Sequence, residues 1–98
     1  MAKYYKLQSM GGGVAAYTVE DVEPQNGEDF KLEELQAYVG GLIEIVYLND
    51  ELIMVLNEEG MLHNLPVNPL ATAIFQEHTG RADYILGNVL VCGNDEVR

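Results

Sequence analysis

Two β-rich apolar runs in the middle of the chain constrain its fold more than any other feature. They are Leu42–Leu48 and Glu51–Leu56, and only Asn49 and Asp50 separate them. A connection of two such residues predicts a β-hairpin with a type I′ turn. Both faces of the two strands are largely apolar, so we expect both strands inside a sheet, with helices covering one side.

Four further segments are predicted as strands. They are Lys3–Leu7, Val14–Val22, Met61–Leu65 and Tyr84–Val91. The second of these alternates apolar and polar residues with a period of two, as a half-buried strand does. A glycine-rich turn at Gly11–Gly13 joins the first two strands, and Gly87 predicts a bend or bulge in the last one.

Two helices are predicted, each between a capping residue and a glycine. Asp29 caps the first helix, at about Phe30–Val39, and Gly40–Gly41 end it. The second helix follows Asn68, which precedes a proline at the first helical position, and runs to about His78. The order β-β-α-β-β-(β)-α-β predicts an α+β fold, a small sandwich with a mainly antiparallel sheet and two helices.

Length and charge limit the classes of protein that this chain can represent. Its 98 residues suffice for one domain, residues 1–98, with a single core. It carries 16 acidic and 5 basic residues, for a net charge of -11. Proteins that bind a nucleic-acid backbone or an anionic membrane need a positive surface. We therefore expect neither nucleic acid nor a membrane as a direct partner.

The cellular compartment is suggested by the cysteine content and by the lack of a targeting pattern. The single cysteine, Cys92, excludes an intrachain disulfide and a cysteine zinc cluster. The first residues contain no continuous apolar run typical of a secretory signal. The longest apolar runs have the length of a strand, well short of the roughly 20 residues of a membrane-spanning helix. We expect a protein of a reducing cytoplasm.

Motifs of catalysis are missing from the sequence. It contains no G-x-S-x-G, no phosphate-binding loop and no EF-hand loop. His63 and His78 lack the short spacing of a zinc site, and Cys92 has no neighbouring base, which favours a buried, inert thiol. We therefore expect a protein that is not an enzyme and that has no cofactor and no metal site.

Glu44 is the acidic residue whose position solvation explains least. Its same-face neighbours on the predicted strand, Leu42, Val46 and Leu48, are apolar. Glu44 therefore either has a partner on a covered face or contacts a ligand on an open one. Arg81 is one of the few cations available to an anionic ligand. These two candidate ligand contacts define an alternative function, the binding or sequestering of a nucleotide-like small molecule.

Acidic residues dominate the centre of the chain. Between Lys31 and Arg81 there are eight acids and no lysine or arginine. Acids keep small proteins soluble, but carboxylates spaced like duplex phosphates can also occupy a basic nucleic-acid groove of another protein. The candidate partner-binding residues are Glu20, Asp21, Glu23, Glu28, Asp29, Glu58 and Glu59.

Several short motifs occur in the order of a known family. They are Val39-Gly40-Gly41 followed by Ile43-Glu44, then Asn57-Glu58-Glu59-Gly60, Leu65-Pro66 before Asn68, and a closing Ile85-x-Gly87 with Val91-x-Gly93. On these motifs, residues 30–93 resemble a small uncharacterised domain family of phages, plasmids and integrative elements, the domain of unknown function 3846. The chain departs from the family pattern at Leu42, where an aromatic residue is frequent. The resemblance implies no catalytic residues.

The resemblance also implies an origin in a mobile element, and small acidic proteins of such elements often inhibit host defence. Combined with the acidic charge, it leads us to expect a non-enzymatic interaction protein that binds a basic surface of a host protein in the bacterial cytoplasm. A homodimer is a further expectation, because Tyr4, Tyr5 and Tyr17 can seal an exposed sheet edge.

Overall fold

The computed structural model describes residues 2–11 and 14–97 and has an α+β fold, as predicted. The elements in chain order are β1 (Ala2–Gly11), β2 (Val14–Val22), α1 (Leu32–Val39), β3 (Ile43–Tyr47), β4 (Leu52–Asn57), α2 (Pro69–Thr79), β5 (Val89–Gly93) and a 3-10 turn (Asn94–Glu96). Gly12 and Gly13 of the predicted glycine-rich turn lie outside the described residues. On either side of them, Gly11 pairs with Val14.

All five strands form one antiparallel sheet in the order β2-β1-β5-β4-β3. The prediction that both strands of the central hairpin lie inside the sheet is therefore right for β4 and wrong for β3, which is an edge strand. Strand order depends on contacts between segments distant in sequence. Apolar composition alone did not distinguish the two positions.

The two helices cover opposite faces of the sheet, which contradicts the expectation of helices on one side. On one face, Leu35 of α1 packs with Ile53 and Val55 of β4. On the other face, Phe75 of α2 packs with Met54 of β4. The sheet thus divides the single core expected from the chain length into two clusters. Successive β4 side chains point alternately to these two cores, and this explains why β4 is apolar on both faces.

The second helix begins as predicted. Asn68 is fully buried, and its Oδ1 accepts a hydrogen bond from the Ala71 N–H at 3.0 Å. The side-chain Nδ2 donates to the Gly87 carbonyl at 2.9 Å, which ties the helix start to the segment before β5. Gly80 ends α2 with a φ of 70°.

The predicted Asp29 cap of the first helix is wrong. The helix begins after Lys31, whose side chain makes no capping bond. Phe30 is fully buried and its N–H donates to the Glu96 carbonyl at 2.6 Å, beside a β-bridge to Val97. This tertiary contact holds Phe30 extended. An Asp29 oxygen accepts from the Asn26 amide at 2.8 Å instead.

The central hairpin does not have the predicted type I′ turn. Such a turn needs positive φ at both central residues. Among the described residues other than glycine, only Asn64 has a positive φ. In the hairpin, the Asn49 Oδ1 accepts from the backbone N–H groups of Glu51 and Leu52, at 2.8 and 2.9 Å. This Asx turn extends the connection by one residue.

Two predicted strands differ from the structure. Residues 61–64 form turns, so the short strand at Met61–Leu65 is wrong. The last strand begins only at Val89, although Gly87 does have the predicted bend, with a φ of 79°. Before it, Leu86 makes an isolated bridge to Val67. No helix within residues 2–11 and 14–97 is long and apolar enough to cross a membrane.

Candidate functional site

In the part of the chain that the structure describes, Lys3, Lys31 and Arg81 each form an ion pair with an aspartate. The Lys3 Nζ lies 2.6 Å from an Asp21 oxygen, and this hydrogen bond raises the pKa of Lys3. The Lys31 Nζ lies 3.1 Å from an Asp29 oxygen. Two of the candidate partner-binding acids are thus already paired with a cation.

Arg81 is also paired, and it does not join Glu44. Its Nη2 lies 3.1 Å from an Asp83 oxygen, and its guanidinium carbon lies 5.8 Å from the centre of the Phe75 ring. Glu44 lies on the edge strand β3 with an exposed side chain. Glu44 therefore lies on an open face of the sheet, and Arg81 is not among the described residues that line the cavity beside it.

Three other candidate partner-binding acids, Glu20, Glu23 and Glu28, lie on β2 and in the loop after it. Glu20 is exposed and pairs with Tyr4 of β1 across the sheet. Glu23 and Glu28 are exposed, and the backbone N–H of Glu28 donates to the Asn26 Oδ1 at 2.8 Å. The carboxylates of Glu23 and Glu28 belong to a loop that its own side-chain hydrogen bonds hold in place.

A groove of about 650 Å³ lies between α1 and the loop after β2, and we call it the α1 groove. Its lining residues are Tyr4, Glu23, Gln25, Asn26, Lys31, Glu33, Glu34, Ala37 and Tyr38. The Glu34 Oε2 accepts from the Gln25 N–H at 3.0 Å and so joins the loop to the helix. Three carboxylates against one lysine make the groove negative.

Two tyrosines form the aromatic wall of the α1 groove. The Tyr4 and Tyr38 rings meet edge to face with centroids 4.7 Å apart, and the Tyr4 hydroxyl donates to the Tyr38 carbonyl at 2.7 Å. Burial raises the pKa of both phenols, so both remain protonated at neutral pH. A negative groove with an aromatic wall fits a cationic side chain better than an anion.

A second cavity, of about 400 Å³, lies beside the turn that follows β4, and we call it the turn cavity. Its lining residues are Glu44, Leu56, Asn57, Glu58, Glu59, Gly60, Met61, Leu62, Tyr84 and Leu86. It brings Glu44 together with Glu58 and Glu59, which sequence reasoning treated as separate candidates. It shares none of its described lining with the α1 groove.

Hydrogen bonds of the buried Asn57 side chain and of the Gly60 carbonyl fix the backbone of this turn. The Asn57 Nδ2 donates to the Val39 carbonyl at 3.2 Å, and its Oδ1 accepts from the Glu59 N–H at 2.7 Å. The Leu65 N–H donates to the Gly60 carbonyl at 3.0 Å. The turn is therefore held to α1 at one end and closed on itself at the other.

Large apolar side chains of this turn are exposed to solvent. Met61 is 84% exposed and Leu62 is 74% exposed, and Tyr84 beside them is 70% exposed. Sequence reasoning missed these residues because it placed Met61 and Leu62 in a strand. Their exposure depends on the closure of the turn, which the apolar pattern does not encode.

His63 is exposed at the surface, whereas Cys92 is buried. The His63 Nε2 lies 3.5 Å from an oxygen of Glu59, which is four residues earlier in the sequence. Cys92 is fully buried, and burial raises the pKa of its thiol to about 12. The prediction of a buried thiol is confirmed. The described residues contain no group of three or more side chains that could hold a metal ion.

Tyr4 and Tyr5 are not available to seal a sheet edge. Both lie on the interior strand β1 and are 8% exposed, each in one of the two cores. Tyr17 is on the edge strand β2, and its hydroxyl donates to the Pro66 carbonyl at 3.0 Å. A homodimer therefore needs a surface other than Tyr4 and Tyr5.

Comparison with known proteins identifies the family. The family model described as Domain of unknown function (DUF3846) matches residues 14–98. No curated protein and no solved structure matches the chain significantly. The family match extends the predicted resemblance at both ends, and it includes β2 and the acids of the loop after it. The chain belongs to the DUF3846 family.

Proposed function

We propose that this protein is a non-enzymatic interaction protein that binds a basic surface of another protein. One observation carries the proposal, the excess of carboxylates over cations at both candidate sites. The α1 groove has three glutamates and one lysine, and that lysine is engaged by Asp29. The turn cavity has three glutamates and no lysine or arginine in its described lining.

The carboxylates of both sites lie on segments that side-chain hydrogen bonds hold, the loop after β2 and the turn after β4. Their field attracts a positively charged partner, speeds its association and weakens as salt is added. A basic groove that normally takes nucleic acid is one surface that such an excess of carboxylates attracts. We propose a host protein of this kind, in the cytoplasm of a bacterial cell, as the target that a mobile-element protein would block.

The alternative, sequestration of a nucleotide-like small molecule, has weaker support. The α1 groove has the volume of a small-molecule site, about 650 Å³. A phosphate group in it would face three carboxylates with one already paired lysine to offset them. That electrostatic cost favours the protein partner.

The test is a pull-down from nuclease-treated bacterial lysate, with parallel washes at low and high salt. We expect a stoichiometric protein that elutes as the salt concentration rises. The variant Glu23→Lys with Glu33→Lys, or Glu58→Lys with Glu59→Lys, should capture less of it. The matched control is Glu77→Lys with Asp95→Lys, which changes the net charge equally at exposed positions elsewhere. Retention that is insensitive to salt would contradict the proposal.

A further inference from the structure

Within residues 2–11 and 14–97, no strand pairs with the outer edge of β3, which lies beside the turn cavity. In its pairing with β4, the Leu42 carbonyl accepts from the Glu58 N–H and the Leu48 N–H donates to the Leu52 carbonyl, both at 2.9 Å. Even-numbered residues of the strand therefore direct their N–H and C=O groups toward β4. The groups that point outward belong to Ile43, Ile45 and Tyr47. An open edge of this kind is a template for an additional strand.

The two faces of β3 differ in chemistry. On the α1 side, Ile45 is 37% exposed and Tyr47 is 70% exposed. On the α2 side, the exposed Glu44 follows the strand start and lines the turn cavity. A strand added to this edge would therefore meet apolar side chains on one face and a carboxylate on the other.

The turn cavity continues this surface past the end of the strand. Glu58 and Glu59 add negative charge there, and Met61 and Leu62 add apolar area that nothing in the described chain covers. Large apolar side chains held in water by a fixed turn are typical of a surface that a partner covers. The backbone edge, the charges and the apolar side chains lie side by side.

We propose that an extended segment of a partner protein, alternating basic and apolar residues, adds to β3 as a sixth strand. Its apolar side chains pack on Ile45 and Tyr47, and its basic side chains meet Glu44 and the carboxylates of the turn cavity. This inference rests on the proposed function, and it names the surface and the partner chemistry.

Charge distinguishes this occupant from a second copy of the chain. Pairing of β3 with itself would bring two molecules of net charge -11 together at the edge where Glu44, Glu58 and Glu59 lie. Like charges across an interface oppose association, whereas lysine or arginine on the added strand would offset these carboxylates. A heterologous basic segment therefore fits the edge better than a copy.

The probe for this proposal is a short synthetic peptide that alternates lysine and valine. Binding to the full chain is measured by calorimetry, and amide hydrogen exchange is followed by NMR. We expect the amides of Ile43, Ile45 and Tyr47 to gain protection, while those of the other edge strand, β2, do not change. A peptide with methylated alternate backbone nitrogens cannot pair with the edge and should not bind.

Two double variants test the side chains. Glu44→Lys with Glu58→Lys should weaken binding about tenfold, as should Met61→Ser with Leu62→Ser, because each removes one kind of contact. The control Glu77→Lys with Asp95→Lys makes the same charge change at exposed positions outside the turn cavity and should alter binding by less than about threefold. Spectra of each variant establish that it is folded.

The outcomes separate this inference from the proposed function. A peptide that does not bind, or that protects β2 instead of β3, overturns strand addition at this edge. If the lysate partner still elutes with salt in that case, the proposed function stands. If no salt-sensitive partner is found, the proposed function fails and the inference fails with it.

Discussion

Asn68 connects two distant segments through one side chain. It is fully buried, it caps α2 through the Ala71 N–H, and it donates to the Gly87 carbonyl. The cap could be predicted from sequence, because an asparagine before a proline is a local signal. The bond to Gly87 could not be predicted, because it depends on a contact between residues 19 positions apart.

Asn68→Ala removes both hydrogen bonds. The loss of the cap and the unpaired buried carbonyl together should lower the free energy of unfolding by about 2–3 kcal/mol. Urea denaturation measures the change. Asn68→Ser keeps an oxygen for the cap and should lose less. If the two variants unfold at the same urea concentration as the parent chain, the assigned role of Asn68 is wrong.

The Cys92 thiol makes stability depend on pH in the alkaline range. Burial raises its pKa from 9.0 to about 12, so between these values the unfolded chain has released the proton and the folded chain has not. The unfolded state is then favoured, and stability should fall by about 1.4 kcal/mol per pH unit for this one group.

Urea denaturation at a series of alkaline pH values tests this expectation. The raised pKa values of the buried tyrosines Tyr4 and Tyr5 act in the same direction at the upper end of the range. Cys92→Ala should remove the part of the slope that begins near pH 9.0. A slope that is equal in the variant and the parent would exclude the thiol as its source.

At the scale of elements, the features that depend on residues near in sequence were predicted correctly more often than those that depend on contacts between distant segments. The glycine ends of both helices and the strands of the N-terminal hairpin follow from residues near in sequence. The start of α1 does not, because a contact of Phe30 with the C-terminal residues overrides the Asp29 cap. The exposed turn after β4 was missed partly for the same reason, because one bond that fixes it joins the Asn57 side chain to the Val39 carbonyl, 18 positions away.

The bend before β5 provides a test at this scale. Gly87 has a φ of 79°, and a Cβ there would lie 2.7 Å from a Leu65 methyl carbon. Gly27 has a similar φ of 77° with nothing within 4 Å of the same position, so it is a matched control. Gly87→Ala should destabilise the fold by about 1–3 kcal/mol more than Gly27→Ala, because only the former adds a packing clash.

Thermal and urea unfolding of the two variants give the difference. If Leu65 moves aside at no cost in free energy, Gly87→Ala and Gly27→Ala will be equally stable. The close packing of the bend then makes no contribution to the stability of the fold. A larger loss at Gly27 than at Gly87 would contradict the packing argument altogether.

At the scale of the whole molecule, the number of acids could be read from the sequence, but their availability could not. Asp21 is paired because the β1–β2 hairpin places Lys3 opposite it, whereas Glu44 is available because β3 lies at an edge. Strand pairing therefore decides which carboxylates a partner can meet. It also separates the acids into the two surfaces proposed above.

The net charge of -11 should also oppose the compact state of the free protein, because like charges repel one another. The molecule measures 40 × 28 × 23 Å, and the Debye length falls from about 30 Å at 0.01 M salt to about 8 Å at 0.15 M. At low salt, acids across the whole molecule repel one another, and at physiological salt only near neighbours do. The melting temperature should therefore rise over this range of sodium chloride concentration.

Partner binding should change in the opposite direction, because salt screens its attraction as well. Melting curves and binding isotherms in the same salt series measure both effects. Sucrose at matched osmolality is the control, since it stabilises compact states without screening charge. A level melting temperature would mean that the excess carboxylates are too far apart to interact, and a falling one would mean that attractive ion pairs outweigh their repulsion. The salt sensitivity of binding would then arise from the contact with the partner alone.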